Sequence, residues 1–247
     1  MPEFDSAGVR IHYELAGPDD GQATLLLHGY ASDYGLNWVG TRWQETLTRA
    51  GRLIVGPDLR GHGRSDKPHE TRAYDQGLMS GDAARLLEHL ELEPADCVGY
   101  SMGAHLALRL AIDHPEQVRR LVLGGLGRMG GFDRAKAIAA RMRGDDSVDD
   151  PMAIEFQAFA ATRPTNDLEA LASCILGWRP RVEDAELRSL DLPVLLVVGD
   201  RDDRARGAEE LAAMIPGARL VRIPGRDHMN AVPSRQFKEA ALEFLDS

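Results

Sequence analysis

The chain has 247 residues, 43% hydrophobic and 28% charged, and 29 basic against 39 acidic side chains give a formal net charge of -10. This composition is globular, not disordered or fibrous, and the negative charge repels polyanions, which argues against a nucleic-acid partner. Cys97 and Cys174 make no disulfide framework and no Cys or His cluster has zinc spacing, while no stretch approaches the roughly 20 apolar residues that span a bilayer.

Along the chain, Val9 to Glu14 alternates like a strand, and Ala23-Thr24-Leu25-Leu26-Leu27 is an apolar run ending at His28-Gly29. Asn37 to Ala50 is expected to be one helix, closed by Gly51. Leu53-Ile54-Val55 before Gly56-Pro57 is the next strand, followed by a helix from about Tyr74 to Leu90. A strand at Cys97-Val98, a helix from Met102 to His114 stopped by Pro115, and a strand from Val118 to Leu123 come next. Strands alternating with helices of ten or more residues imply βαβ units: a mostly parallel central sheet with helices on both faces. From about Leu126 to Asp191 helical segments follow one another without a β-branched strand, so 126–190 is expected to be a helical cap inserted into a core of 1–125 and 191–247. Asp150-Pro151 suits an N-cap followed by proline at the first helical position, and Asn166 with Glu169 suits a capping box. Pro193 to Gly199 resumes the strand pattern; a helix at Ala208 to Met214, a strand at Arg219 to Ile223 and a helix from Ser234 to Leu245 complete the chain.

The start MPEFDSAGVRIHYEL has no basic segment leading into an apolar one, so a cytoplasmic protein without a membrane partner is expected. Both cysteines suit plain core positions.

The chemistry centres on Gly99-Tyr100-Ser101-Met102-Gly103, between a short strand and a helix. Glycines two residues either side of the serine let strand and helix approach closely while the serine occupies a sharp, strained bend. A serine hydroxyl needs a base, and the base needs an orienting acid. Both come later in the chain: Gly199-Asp200-Arg201-Asp202-Asp203 follows one strand and Asp227-His228 follows the last. The order serine, acid, histidine is that of a nucleophile elbow on an α/β-hydrolase sheet. Leu27-His28-Gly29-Tyr30 follows an early strand, where a backbone N–H could join that of Met102 in binding an oxyanion.

On these residues, and on Asp58-Leu59-Arg60-Gly61-His62-Gly63-Arg64-Ser65 and Gly225 to His228, the sequence resembles the α/β-hydrolase-fold serine hydrolases over nearly its whole length. The resemblance implies Ser101 as nucleophile, Asp202 as acid and His228 as base, with Tyr30 and Met102 giving oxyanion-hole amides. Of four nearby acids, Asp200 follows Gly199 too closely and Asp227 adjoins His228, whereas Asp202 fits the family's G-x-x-D pattern; Asp203 stays a competitor. A serine nucleophile sets the chain apart from the haloalkane dehalogenase and epoxide hydrolase branches, whose nucleophile is aspartate. The expected function is hydrolysis of a small, largely apolar carboxylic ester or related small-molecule acyl substrate, with no cofactor and no metal. A C–C bond hydrolase or lactonase on the same triad, or a small-molecule receptor with little turnover, are the alternatives. Met152, Phe156 and Phe159 share one helical face and, with Tyr100 and Trp178, are the candidate substrate contacts. Gly125-Leu126-Gly127-Arg128-Met129-Gly130 fits a dinucleotide fingerprint but lacks the second strand ending in an acid that such a site needs.

Overall fold

The apolar runs Ala23–Leu27, Leu53–Pro57, Ala95–Tyr100 and Val194–Gly199 are buried at every position, as a parallel sheet covered on both faces requires. In the computed structural model, which describes residues 2–128 and 134–247, they form the centre of a single sheet. Its strands are β1 (Glu3–Ser6), β2 (Val9–Ala16), β3 (Ala23–Leu27), β4 (Leu53–Pro57), β5 (Ala95–Tyr100), β6 (Val118–Gly124), β7 (Val194–Gly199) and β8 (Arg219–Ile223), in the order β1-β2-β4-β3-β5-β6-β7-β8. Among the described residues, only β1–β2 and β2–β4 pair antiparallel.

The strand period of two divides the core into two layers. Leu25 and Leu27 join Leu86, Leu106 and Leu110 on the side of α2 (Gln76–Leu90) and α3 (Met102–Asp113). Leu26, between them, points the other way to Trp43, Phe237 and Phe244 on α1 (Trp43–Arg49) and α9 (Arg235–Leu245). Helices therefore cover both faces of the sheet.

Between β6 and β7 lie α4 (Ala135–Met142), α5 (Pro151–Ala161), α6 (Leu168–Gly177) and α7 (Asp184–Arg188); α8 (Ala208–Met214) follows β7. The last two residues of the Gly125 to Gly130 motif fall outside the described residues. Bonds tie the inserted helices over the carboxyl end of the sheet: Tyr30 Oη donates to the Leu171 carbonyl at 2.9 Å, Asn166 Nδ2 to that of Ala31 at 3.1 Å, and Arg163 pairs with Asp33. Among the described residues, no helix is long and apolar enough to cross a membrane.

Four local expectations need correction. Strand β1 was not anticipated. The segment 37–50 is two pieces, a π-helical turn at Gly35–Val39 and α1, because Arg42 takes a left-handed φ of 65° between them. Tyr74 ends a separate 3-10 turn, Thr71–Tyr74, and α2 begins after it on an Asp75 cap. The cap of α6 is Asp167, whose Oδ1 accepts from the N–H groups of Glu169 and Ala170 at 3.0 Å, while Asn166 bridges to Ala31 and Ala160. At α5, Asp150 caps and Pro151 leads, as the sequence suggests.

Candidate active site

Ser101 sits between β5 and α3 with φ 53° and ψ -116°, a left-handed conformation that an L-residue adopts only under constraint. The neighbouring glycines supply that constraint. A Cβ on Gly103 would lie 2.0 Å from the Leu27 carbonyl oxygen, and one on Gly99 would lie 2.3 Å from that of Gly103. The Ser101 N–H donates to the Gly124 carbonyl at 2.9 Å, which fixes the bend on the neighbouring strand.

The loop after β3 is held by a neutral histidine. His28 is fully buried, and burial lowers its pKa. Its Nδ1 donates to the Gly29 carbonyl at 2.8 Å while its Nε2 accepts from the Leu59 N–H at 3.0 Å. Asn37 Oδ1 accepts from the Gly29 N–H at 3.2 Å. Among the described residues, no acceptor takes the backbone N–H of Tyr30 or of Met102. The Asp58 to Ser65 loop is scaffolding: Asp58 accepts from the N–H groups of Tyr34 and Arg64, and Ser65 Oγ donates to the Asp58 carbonyl.

His228, which lines the same cavities as Ser101, meets Asp202. His228 Nδ1 lies 3.0 and 2.9 Å from the two carboxylate oxygens of Asp202, and both side chains are buried. Asp202 Oδ1 also accepts from the N–H groups of Arg204 and Ala205, so the carboxylate is fixed by its own turn. Tyr100 Oη donates to the His228 carbonyl at 2.5 Å and its ring packs 5.3 Å from the imidazole. The other acids are occupied elsewhere. Asp200 accepts from the Gly225 N–H, Asp203 pairs with Arg206 at the surface, and Asp227 caps its own turn through Met229 and Asn230.

Two cavities open beside Ser101 and His228. The larger, about 310 Å³, is bounded by Met102, Met152, Phe156 and Trp178. The smaller, about 70 Å³, is bounded by Tyr30, Tyr100, Phe156 and Phe159. Every residue expected at the site thus lies on one or both cavities or, for Asp202, behind His228.

His105, Arg134 and Arg204, none of them among the substrate contacts expected from the sequence, also line the larger cavity. His105 was readable: it stands one helical turn beyond Ser101, its N–H bonded to the Ser101 carbonyl. Burial pushes its pKa down to about 3, and its ring packs 5.2 Å from that of Trp178. Arg204 follows Asp202 by two residues and lies 4.8 Å over the Phe156 ring. Arg134 has no such signal. Cys97 and Cys174 are fully buried free thiols whose pKa burial raises, so they are core residues. Among the described residues, no group of three or more His, Cys, Asp or Glu side chains could hold a metal ion.

Comparison with known proteins finds similarity to hydrolase-fold proteins. Residues 23–137 match the model of the alpha/beta hydrolase fold. A Bacillus subtilis (strain 168) protein with the provisional name 2-succinyl-6-hydroxy-2,4-cyclohexadiene-1-carboxylate synthase is 27% identical, covering 98% of this chain and 97% of its own. The 2-hydroxymuconate semialdehyde hydrolase of Pseudomonas sp. (strain CF600) is 37% identical over 124 residues, 50% of this chain and only 42% of that one. Among solved structures, an enol-lactonase from Burkholderia xenovorans LB400 superposes with a TM-score of 0.85 at 24% identity over 100% of both chains.

Proposed function

We propose that the chain is a serine hydrolase of the α/β-hydrolase superfamily acting on a small acyl compound, an ester or lactone, through an acyl-enzyme, a reading that its similarity to alpha/beta hydrolase fold proteins supports. The observation that carries this reading is that His228, paired with the buried Asp202, and the strained Ser101 line the same cavity.

In this reading Asp202 accepts the Nδ1–H of His228, which leaves Nε2 free to take the Ser101 proton as Oγ attacks the substrate carbonyl. The N–H groups of Tyr30 and Met102 bind the resulting oxyanion; Met102 is the first residue of α3, where helix geometry leaves the N–H without an intrahelical acceptor. His228 gives its proton to the leaving oxygen, the C–O bond breaks, and the acyl group stays on Ser101. Water, deprotonated by His228, then attacks the ester, releasing the acid and restoring the Ser101 hydroxyl. His28 stays out of the proton transfers because both its ring nitrogens are spent on the backbone.

The test is labelling with a fluorophosphonate. Ser101 alone should be modified, and Ser101→Ala should abolish both labelling and hydrolysis of 4-nitrophenyl esters. An unlabelled Ser101 in folded protein would instead support a hydrolase-fold receptor. The 37% identity to the semialdehyde hydrolase favours one second reading, C–C bond hydrolysis on the same residues. A vinylogous dioxo-acid turned over faster than matched esters would select it.

A further inference from the structure

The larger cavity inverts the charge of the molecule. The protein carries a net charge of -10, yet the ionisable side chains lining this cavity, besides Tyr30 and His228, are Arg134, Arg204 and His105, with no carboxylate among its described lining residues. Arg204 is 19% exposed, and one edge of its guanidinium donates to Glu155 at 2.6 Å. Arg134 lies 3.6 Å from Asp150, a carboxylate whose other oxygen already caps α5. A guanidinium offers five N–H donors in a planar fork, so each arginine keeps donors beyond the one carboxylate partner it has among the described residues. His105 is buried and neutral, and among the described residues no protein group bonds its ring nitrogens. The rest of the wall is apolar, with Phe156 and Trp178 prominent.

We propose that this cavity takes the acyl part of a substrate bearing a second, free carboxylate: a half-ester or lactone of a short dicarboxylic acid. Arg134 and Arg204 hold that carboxylate and His105 gives an uncharged hydrogen bond beside it. The proposal rests on the serine-hydrolase reading and names its substrate class. A monoanion fits better than a polyanion, because each arginine is already part-neutralised and the surrounding protein is acidic. A volume of about 310 Å³ with apolar walls suits a short carbon chain between the two carboxyl groups. This departs from the largely apolar ester expected from the sequence.

The experiment compares 4-nitrophenyl hydrogen glutarate with 4-nitrophenyl pentanoate, which share chain length and leaving group and differ in the terminal carboxylate. The half-ester should have a kcat/KM at least about tenfold higher, mainly through KM, as a charge-assisted contact would give. Arg134→Gln and Arg204→Gln should each lower the ratio of the two kcat/KM values severalfold, and Arg134→Lys should restore part of it. A native ratio of one or below, unmoved by both glutamine variants, overturns the proposal. If neither ester turns over and Ser101 resists fluorophosphonate, the hydrolase reading fails, and calorimetric titration with glutarate decides the cavity separately. Binding lost in Arg134→Gln supports the carboxylate site, and no binding overturns it.

Discussion

Four aspartates crowd the loops around His228, and only one has both carboxylate oxygens on its imidazole. Asp202 reaches Nδ1 at 2.9 and 3.0 Å, while Asp200, Asp203 and Asp227 bond elsewhere. An acid that orients the base and stabilises the imidazolium is worth roughly 10⁴-fold in kcat when replaced by its amide. Under the proposed mechanism Asp202→Asn should lose activity on that scale and stay folded. Asp200→Asn, Asp203→Asn and Asp227→Asn should each keep kcat within about tenfold of native. Steady-state kinetics on the four proteins checks this, and an inactive Asp227→Asn beside an active Asp202→Asn would sink it. Strain at Ser101 offers a second measurement. A non-glycine residue at such a backbone conformation costs about 1–3 kcal/mol, against the roughly 0.5–1 kcal/mol of extra unfolded-chain entropy that glycine brings. The strain wins, so Ser101→Gly should unfold at higher urea than Ser101→Ala. Equal midpoints would mean that the bend stores no strain.

At the scale of elements, the site depends on α3 lying against β3. A methyl group on Gly103 would meet backbone, the Leu27 and His28 carbonyls at 2.0 and 2.6 Å, and backbone has no rotamer to swing away. Gly103→Ala should therefore cost about 3 kcal/mol or more, the upper range for overpacking, and should displace the Met102 N–H. Urea unfolding checks the first, and fluorophosphonate labelling rate the second. How much of this was legible depended on how local its cause was. The elbow, the buried parallel strands and the Asp150-Pro151 start announce themselves through glycine spacing, continuous apolar runs and capping chemistry within a few residues. β1 does not: its four residues, Glu3–Ser6, bury only Phe4 and Ser6, and its pairing with β2 comes from the fold's edge. The left-handed break at Arg42 leaves no mark in the apolar pattern, and the choice of Asp167 over Asn166 is set by a tertiary contact, Asn166 reaching Ala31. His105 could be placed from helical period alone, whereas Arg134 reaches the cavity only because the inserted helices fold back over the sheet.

For the molecule as a whole, the buried histidines couple stability to pH. His28, His62 and His105 all lie inside, and burial is the leading cause that lowers the pKa of each, to about 3 for His62 and His105. In the unfolded chain a histidine titrates near 6.5. Between about 3 and 6.5 the unfolded chain thus binds more protons than the folded one, so stability is fully present above about 6.5 and declines as pH falls through this window. Asp33 adds to the same trend at lower pH, since Leu36 and Arg163 bond its carboxylate and lower its pKa against the cost of burial. Each deeply lowered histidine removes about 2 kcal/mol between pH 6.5 and 5, at 1.36 kcal/mol per unit. Relief of self-repulsion among the 39 acidic residues works the other way, but it is spread over an exposed, salt-screened surface. The buried terms should dominate, and urea stability should drop by several kcal/mol from pH 7.5 to 5. His105→Gln replaces one titrating group by a neutral one and should shrink that drop by about 2 kcal/mol, whatever its effect at pH 7.5. An unchanged drop in the variant would mean that His105 takes up its proton in the folded protein without penalty, through water reaching it from the cavity it lines.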